Sequence, residues 1–290
     1  MIYQLKPIFI EKLWGGHYYS KLEPLKKDKI GEVVLFSMHL DYPLIALVGN
    51  KEILFKDKKP ELYQQLLTHF PITIKLIDAK DDLSIQVHPD DTYASTHHQT
   101  YGKEEYWMIL EAIPSSSILY GHSIKDQHTL KEIVLNGKLH LHMNSYPVKK
   151  GDMFYIPANT VHAIQKNTRL LEIAQASILN FRVDDYQRLD TFGKLRPLHI
   201  KEALDVMTIN NQEVQRHFPN HLFTYDYYDF ANQQSILIKE NHTILIIISG
   251  DGFMNDVNIK EGCSFVIHQE KELSFKGQLE IMFIYSSISK

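Results

Sequence analysis

Cysteine occurs once in the 290 residues, at Cys263, so neither an intrachain disulfide nor a cysteine-based zinc cluster can form. A chain this poor in thiols suits a reducing compartment, and the cytoplasm is the expected location. Apolar runs are short: a stretch such as Ile244 to Ile248 falls far below the length that crosses a bilayer as a helix. Near the start, Lys6, Glu11 and Lys12 interrupt "MIYQLKPIFIEKLWGG" before the apolar centre of a signal peptide develops, so no membrane association is expected. An excess of either charge is also missing, with Lys+Arg 31 against Asp+Glu 35 and a net charge of −4. Two short basic clusters, Lys26-Lys27-Asp28-Lys29 and Lys56-Asp57-Lys58-Lys59, are diluted by acids rather than interleaved with aromatics, which argues against nucleic acid as a partner. No glycine-rich phosphate loop, nucleophile elbow or Cys–His pair is present, and nucleotide-dependent phosphoryl transfer and acyl-enzyme chemistry therefore have no support.

What is present is a core-forming composition: 44% of the residues are hydrophobic, enough for one large or two ordinary domains. Strand signals dominate. "EVVLFSM", "ITIKLIDA", "SIQVH", "YWMILEA", "MFYIPA", "TILIIISG" and "LEIMFIY" are short, rich in β-branched and aromatic residues, and separated by Gly, Asp, Asn or Pro turns. Helical spacing appears in "PELYQQLLTHF", in "DQHTLKEIVLNG" with Gly137 as its stop, and in "PLHIKEALDVM" after Pro197. The expected fold is mainly β with a few decorating helices. A more polar stretch places a domain boundary near residue 205, giving one domain over 1–205 and a second over 206–290. An internal repeat supports two related halves: "GDMFYIPANTVH" and "GCSFVIHQEKEL" align Gly151 with Gly262, Pro157 with His268, and His162 with Leu273. A strand, tight turn and returning strand used twice suggest two small barrels, the first with a polar mouth and the second filled with apolar side chains, unless these are two unrelated hairpins.

The polar mouth centres on "SIQVHPDD". On a strand, Ser84, Gln86 and His88 share one face while Leu83, Ile85 and Val87 take the other. In "YGKEEYWMIL", Glu105 opens an apolar strand and faces inward with Lys103, while Glu104 faces out. In "GDMFYIPANTVHAI", the Pro157 and Asn159 turn delivers His162, with Asn159 able to adopt a positive φ. His88, Glu105 and His162 form a two-nitrogen, one-oxygen set that Zn²⁺ accepts, with the Gln86 amide oxygen as a further ligand and water completing the sphere. The bland alternative is a hydrogen-bonded core histidine, a surface acid and a turn histidine. His97-His98 and His140-Leu141-His142 read as loop residues, and Asp184-Asp185 as either a solvated turn or paired acids.

At these residues the sequence resembles the zinc-dependent, cupin-fold (type I) mannose-6-phosphate isomerases of bacteria, in their short form. "PIFIEKLWGG", "IKLIDAKDDLSIQVHPDD", "YGKEEYW", "LYGHS", "GDMFYIPANTVHAI", "RVDDYQRLD" and "RPLHIKEAL" follow in the family's order through most of the chain. The resemblance implies two cupin-type, jelly-roll-like barrels and one zinc per chain on His88, Glu105 and His162, with Gln86 matching a fourth ligand. It further implies Arg182 and Lys103 in catalysis, Ser84 near a substrate phosphate, and a small sugar phosphate as partner. The implied reaction is the reversible conversion of D-mannose 6-phosphate to D-fructose 6-phosphate through a cis-enediol. Arg182 stays protonated and serves charge stabilisation, while Lys103 is the candidate proton carrier, with Asp184 or Asp185 as rivals. Two departures stand out: Val33-Val34 follow Gly31-Glu32 where the family has Trp, and Ile178 stands where an acid is usual. The second motivates an alternative, a catalytically weakened sugar-phosphate-binding or regulatory paralogue of the same fold.

Overall fold

A computed structural model describes residues 1–22, 28–209, 213–219 and 221–288; Lys26 and Lys27 of the first basic cluster lie outside these residues. The chain is mainly β, as its punctuated β-branched segments predict. The three expected helices form. Pro60–His69 carries Pro60 at its first position, where the missing N–H has no intrahelical partner to lose. Gln127–Leu135 is capped by Asp126, whose carboxylate accepts from the Thr129 N–H at 2.9 Å, and it stops before Gly137 at φ 64°. Ile200–Val206 is the third. The segment around His97-His98, expected as a loop, is instead the helix Asp91–His98: Asp90 accepts from the Tyr93 N–H at 2.8 Å and Gln99 ends it at φ 53°. Its surface is too polar for an apolar stripe, so the cap was its only signal in the sequence.

Two compact units form, and neither is contiguous. Met1–Phe9, Val33–Lys75 and Pro219–Lys290 make one; Ile10–Glu32 and Leu76–Phe218 make the other. The expected division at residue 205 is therefore not that of the fold. Composition marks where a chain changes character, whereas strand pairing decides which segments share a core. Here Ile2–Leu5 pairs with Ser264–His268, Ile2 opposite Ile267 and Leu5 opposite Ser264, so the start of the chain joins its end.

The first unit contains a nine-stranded sheet in which the long strands His242–Met254 and Glu272–Ser286 pair antiparallel. Ile247, Phe265, Leu273, Phe275, Ile281 and Phe283 fill its core. In the second unit a five-stranded sheet runs in the order Met143–Pro147, Ser117–His122, His162–Ile164, Ile85–Val87, Phe181–Asp184. Glu105–Ala112 lies in a second sheet between Met153–Ile156 and Thr168–Gln175. Ile85 and Val87 pack with Val161, Phe181 and Val183, while Trp107, Ile109, Phe154 and Ile156 build a second cluster. The mainly β, jelly-roll-like expectation is met, with open sheets in place of closed barrels.

The sequence repeat has a structural counterpart. Gly151 and Gly262 both take positive φ, 87° and 82°. The Gly151 N–H donates to the Ile109 carbonyl and the Ile109 N–H to Asp152; likewise Gly262 donates to Ile247, and Ile247 to Cys263. Following the register back, Ile156 lies opposite Glu105, and its counterpart Ile267 lies opposite Thr243. The first unit thus carries Thr243 where the second carries Glu105, and a fully buried Leu273 where the second carries His162.

Candidate metal centre

The strand Ile85–Val87 ends in a turn that two segments clamp. Asn159, at φ 68° as its turn requires, donates its backbone N–H to the His88 carbonyl at 2.7 Å, and its side-chain amide bonds the Asp90 carboxylate at 2.9 Å. The Gly102 N–H donates to Asp91 at 2.8 Å and the Lys103 N–H to the Pro89 carbonyl at 3.0 Å. A side chain at Gly102 would place its Cβ 2.5 to 2.7 Å from the backbone of Pro89, Asp90 and Asp91. Glycine there lets "YGKEE" seat directly on "HPDD".

His88, Glu105 and His162 consequently converge, fully buried, with one potential ligand atom from each lying within 4.8 Å of the others. His88 Nδ1 faces the Leu179 carbonyl at 2.8 Å and His162 Nδ1 faces the Thr160 carbonyl at 2.8 Å. A carbonyl only accepts, so both imidazoles hold their proton on Nδ1 and turn an unprotonated Nε2 inward. His88 Nε2 lies 3.0 Å from one Glu105 oxygen and His162 Nε2 3.5 Å from the other. Burial, reinforced by the Lys103 ammonium, lowers the His88 pKa to about 3, and burial lowers that of His162. Burial alone would raise Glu105, but Lys103 and then His88 outweigh it and hold the carboxylate well below its usual range. Two neutral nitrogens therefore aim lone pairs at an ionised carboxylate, and the buried His88 Nε2 has no hydrogen-bond partner among the described residues. A divalent cation resolves that conflict, and this donor set fits zinc. Trp107 steadies the set by donating Nε1–H to Glu105 at 3.0 Å, and the Lys103 ammonium lies 2.5 Å from the same carboxylate.

Gln86 reaches the triad with its amide nitrogen 3.3 Å from His162 Nε2. Glu104 does not face out: it is buried and accepts the hydroxyls of Tyr106 at 2.6 Å and Tyr155 at 2.5 Å, because the sheet is covered on both faces. At the opposite end of the same strand face, Ser84 donates to Asp185 at 2.5 Å and accepts from Arg182 Nε at 3.3 Å. Asp185 is not a solvated turn residue. It is 4% exposed and gathers Arg188 at 2.6 Å and Arg196 at 3.1 Å, while Asp184 pairs with His140 at 3.1 Å. Burial, and then the neighbouring Arg196, lowers the Arg182 pKa. Three guanidinium groups surround Ser84 Oγ, Arg182 at 3.3 Å and Arg188 and Arg196 at 3.5 Å each, and with Asp185 the cluster carries a net 3 − 1 = +2. Arg188 and Arg196 were missed in the sequence although both sit in the quoted segments "RVDDYQRLD" and "RPLHIKEAL"; the signal was three arginines within fifteen residues of a strand that pairs with "SIQVH". Ile178, where an acid was expected, is half exposed, and its neighbour Leu179 holds His88 through a backbone carbonyl that any side chain permits.

Residues 40–106 match the family described as phosphomannose isomerase type I, catalytic domain. The chain is similar to a mannose-6-phosphate isomerase of Streptococcus mutans, 34% identical over 223 residues that cover 70% of this chain and 68% of the relative. Its fold matches the crystal structure of the mannose 6-phosphate isomerase from Bacillus subtilis with a TM-score of 0.85 and 27% identity, covering 98% of this chain and 99% of that one. A zinc-bound holo structure of a mannose 6-phosphate isomerase shares the fold at 13% identity, with a TM-score of 0.75 and coverage of 99% and 100%.

Proposed function

The chain belongs to the type I mannose-6-phosphate isomerase family, and from that premise we propose how its residues carry the reversible conversion of mannose 6-phosphate to fructose 6-phosphate. One zinc ion is held by His88, Glu105 and His162, with Gln86 as a further ligand. When bound, it supplies Lewis acidity to the O1/O2 edge of the sugar. The observation that carries this reading is the convergence of two unprotonated imidazole nitrogens on a buried carboxylate at one end of a strand face, with a cationic cluster at the other. From Ser84 to His88 an extended chain spans roughly 13 Å, and side chains reaching inward from both ends narrow this toward the length of a six-carbon phosphate ester. Arg182, Arg188, Arg196 and Ser84 seat the phosphate dianion, whose charge matches the net +2 there; this remote grip aligns C1 and C2 with the metal end.

Proton transfer between C2 and C1 falls to Lys103, which stands beside Glu105 at the metal end; acting as the free amine, it takes the proton from C2 and returns it to C1. Asp184 and Asp185, the rival proton carriers, are instead committed to His140 and to the arginine cluster. Arg182 keeps its charge and, opposite Gln86 on the paired strand, stands between the phosphate seat and the metal end, where it stabilises the negative charge that develops on the substrate. Near-neutral net charge supports a small-molecule partner rather than nucleic acid, and a single cysteine supports a cytoplasmic setting. Among the described residues no helix is long and apolar enough to cross a membrane.

A coupled assay that follows fructose 6-phosphate formed from mannose 6-phosphate tests the reading. The purified protein is expected to turn over and to exchange the C2 proton with solvent. Arg182→Lys is expected to lower kcat by roughly 100-fold with zinc retained, because lysine keeps the charge but not the planar fork. Substrate binding without either turnover or exchange would leave a sugar-phosphate-binding protein in its place.

A further inference from the structure

Beside the triad lies a pair of amides that the reading above does not explain. Gln86 Nε2 sits 3.3 Å from His162 Nε2, while Gln86 Oε1 accepts from Asn180 Nδ2 at 2.5 Å. Asn180 Oδ1 is buried and has no hydrogen-bond partner among the described residues. His162 has committed its only N–H to the Thr160 carbonyl, so its Nε2 is an acceptor and the Gln86 amide N–H donates to it. That bond covers the lone pair a cation needs. Once His162 Nε2 is given to zinc, the Gln86 N–H loses its acceptor and directs the positive end of the amide at a positive charge.

Half a turn about the last side-chain bond of Gln86 reverses this. The oxygen then faces the cation and the nitrogen faces Asn180, where it requires an acceptor. Asn180 meets the requirement by its own half turn, which brings the orphaned Oδ1 to Gln86. We infer that Asn180 is a positioning residue that satisfies the Gln86 amide in either orientation and holds its oxygen toward the metal when zinc is bound. The inference rests on the zinc reading proposed above. Strand pairing fixes the arrangement: Phe181 lies opposite Val87 and Arg182 opposite Gln86, so Asn180 enters at the His88 end of the same strand. An amide suits the role because it both donates and accepts; a carboxylate only accepts, and an aliphatic side chain does neither.

The experiment is a double-mutant cycle between Gln86 and Asn180, read by zinc affinity in chelator competition and by the visible absorption of the Co²⁺-substituted protein, which strengthens as coordination number falls. Asn180→Leu is expected to weaken zinc binding by about tenfold, at the lower end of the loss seen when a partner of a metal ligand is removed, and to strengthen the Co²⁺ absorption. Asn180→Ala, run beside it, is expected to do the same without any overpacking. Asn180→Asp, an obligate acceptor, is expected to keep the wild-type spectrum. In the Gln86→Leu background, Asn180→Leu is expected to change nothing further. Wild-type affinity and spectrum in Asn180→Leu and Asn180→Ala would overturn the inference, as would an equal loss with and without Gln86. Wild-type protein that binds no zinc would overturn the zinc reading and this inference together, whereas zinc binding with a flat cycle overturns this one alone.

Discussion

At His88, burial decides the charge state, and the charge state sets how the metal-free protein responds to acid. The folded pKa of about 3 lies below the unfolded value of 6.5, so the unfolded chain takes up the proton first as pH falls. The stability that neutral His88 contributes is therefore complete above about pH 6.5 and is lost progressively as pH falls toward the folded value. His162, lowered by the same burial, acts in the same direction. For chelator-treated protein, His88 alone predicts a loss of about 2 kcal/mol between pH 7 and pH 5, measured as a falling urea midpoint; a midpoint unchanged over that range would contradict the assignment of neutral buried imidazoles. In the proposed site the same two residues anchor the metal. His88→Ala and His162→Ala are each expected to lose most of the bound zinc by elemental analysis, because one missing ligand of three opens the site. His97→Ala and His140→Ala should retain it, since His97 bonds the Tyr93 carbonyl on its own helix and His140 pairs with Asp184. Strong zinc loss in either control would mean that the metal lies elsewhere.

Strands and turns made the triad legible. Period-two alternation puts Ser84, Gln86 and His88 on one face whatever the rest of the chain does, an acid opening the apolar strand Glu105–Ala112 needs a partner, and a turn that demands positive φ accepts Asn159. What the sequence could not show is the meeting of Arg182, Arg188 and Arg196 around Ser84, with Asp185 bonded to Ser84 and to two of them. That depends on the path of irregular chain between residues 185 and 197, which carries no period. Asn180 was hidden for a related reason, since its amide gains meaning only from the register of its neighbours against Val87 and Gln86. The contact of the loop at Gly102 with the turn at Pro89 was equally invisible, and it gives a test at this scale. Gly102→Ala inserts a methyl group against backbone atoms at 2.5 to 2.7 Å, so the loop must lift and carry Lys103 and Glu105 away from His88. The protein should stay folded by circular dichroism while zinc affinity drops by about tenfold, the equivalent of 1.4 kcal/mol and ordinary for an overpacked contact. Unchanged affinity would show that the loop seats on the turn without needing glycine.

Across the whole molecule, the repeat with Thr243 and Leu273 in place of two candidate ligands gives the first unit an apolar core where the second has its candidate metal centre. This division of labour does not make the first unit dispensable, because its segments come from both ends of the chain. A fragment of residues 1–205 keeps Ile2–Leu5 and Ile45–Val48 but loses Ser264–His268, which pairs with the first of them, together with both long strands of the sheet. Leu5, Ala46 and Phe55, all buried in the intact chain, would lose the segments that complete their unit, and the freed edge of Ile2–Leu5 would present unpaired N–H and carbonyl groups. The fragment is therefore expected to aggregate in size-exclusion chromatography and to show no isomerase activity. Co-expression of residues 206–290 should return a soluble, zinc-binding complex, since the missing strands need only to pair and no covalent link is part of their hydrogen bonding. A monodisperse, fully active fragment of residues 1–205 would show that the strands at the start of the chain find sufficient partners without its end.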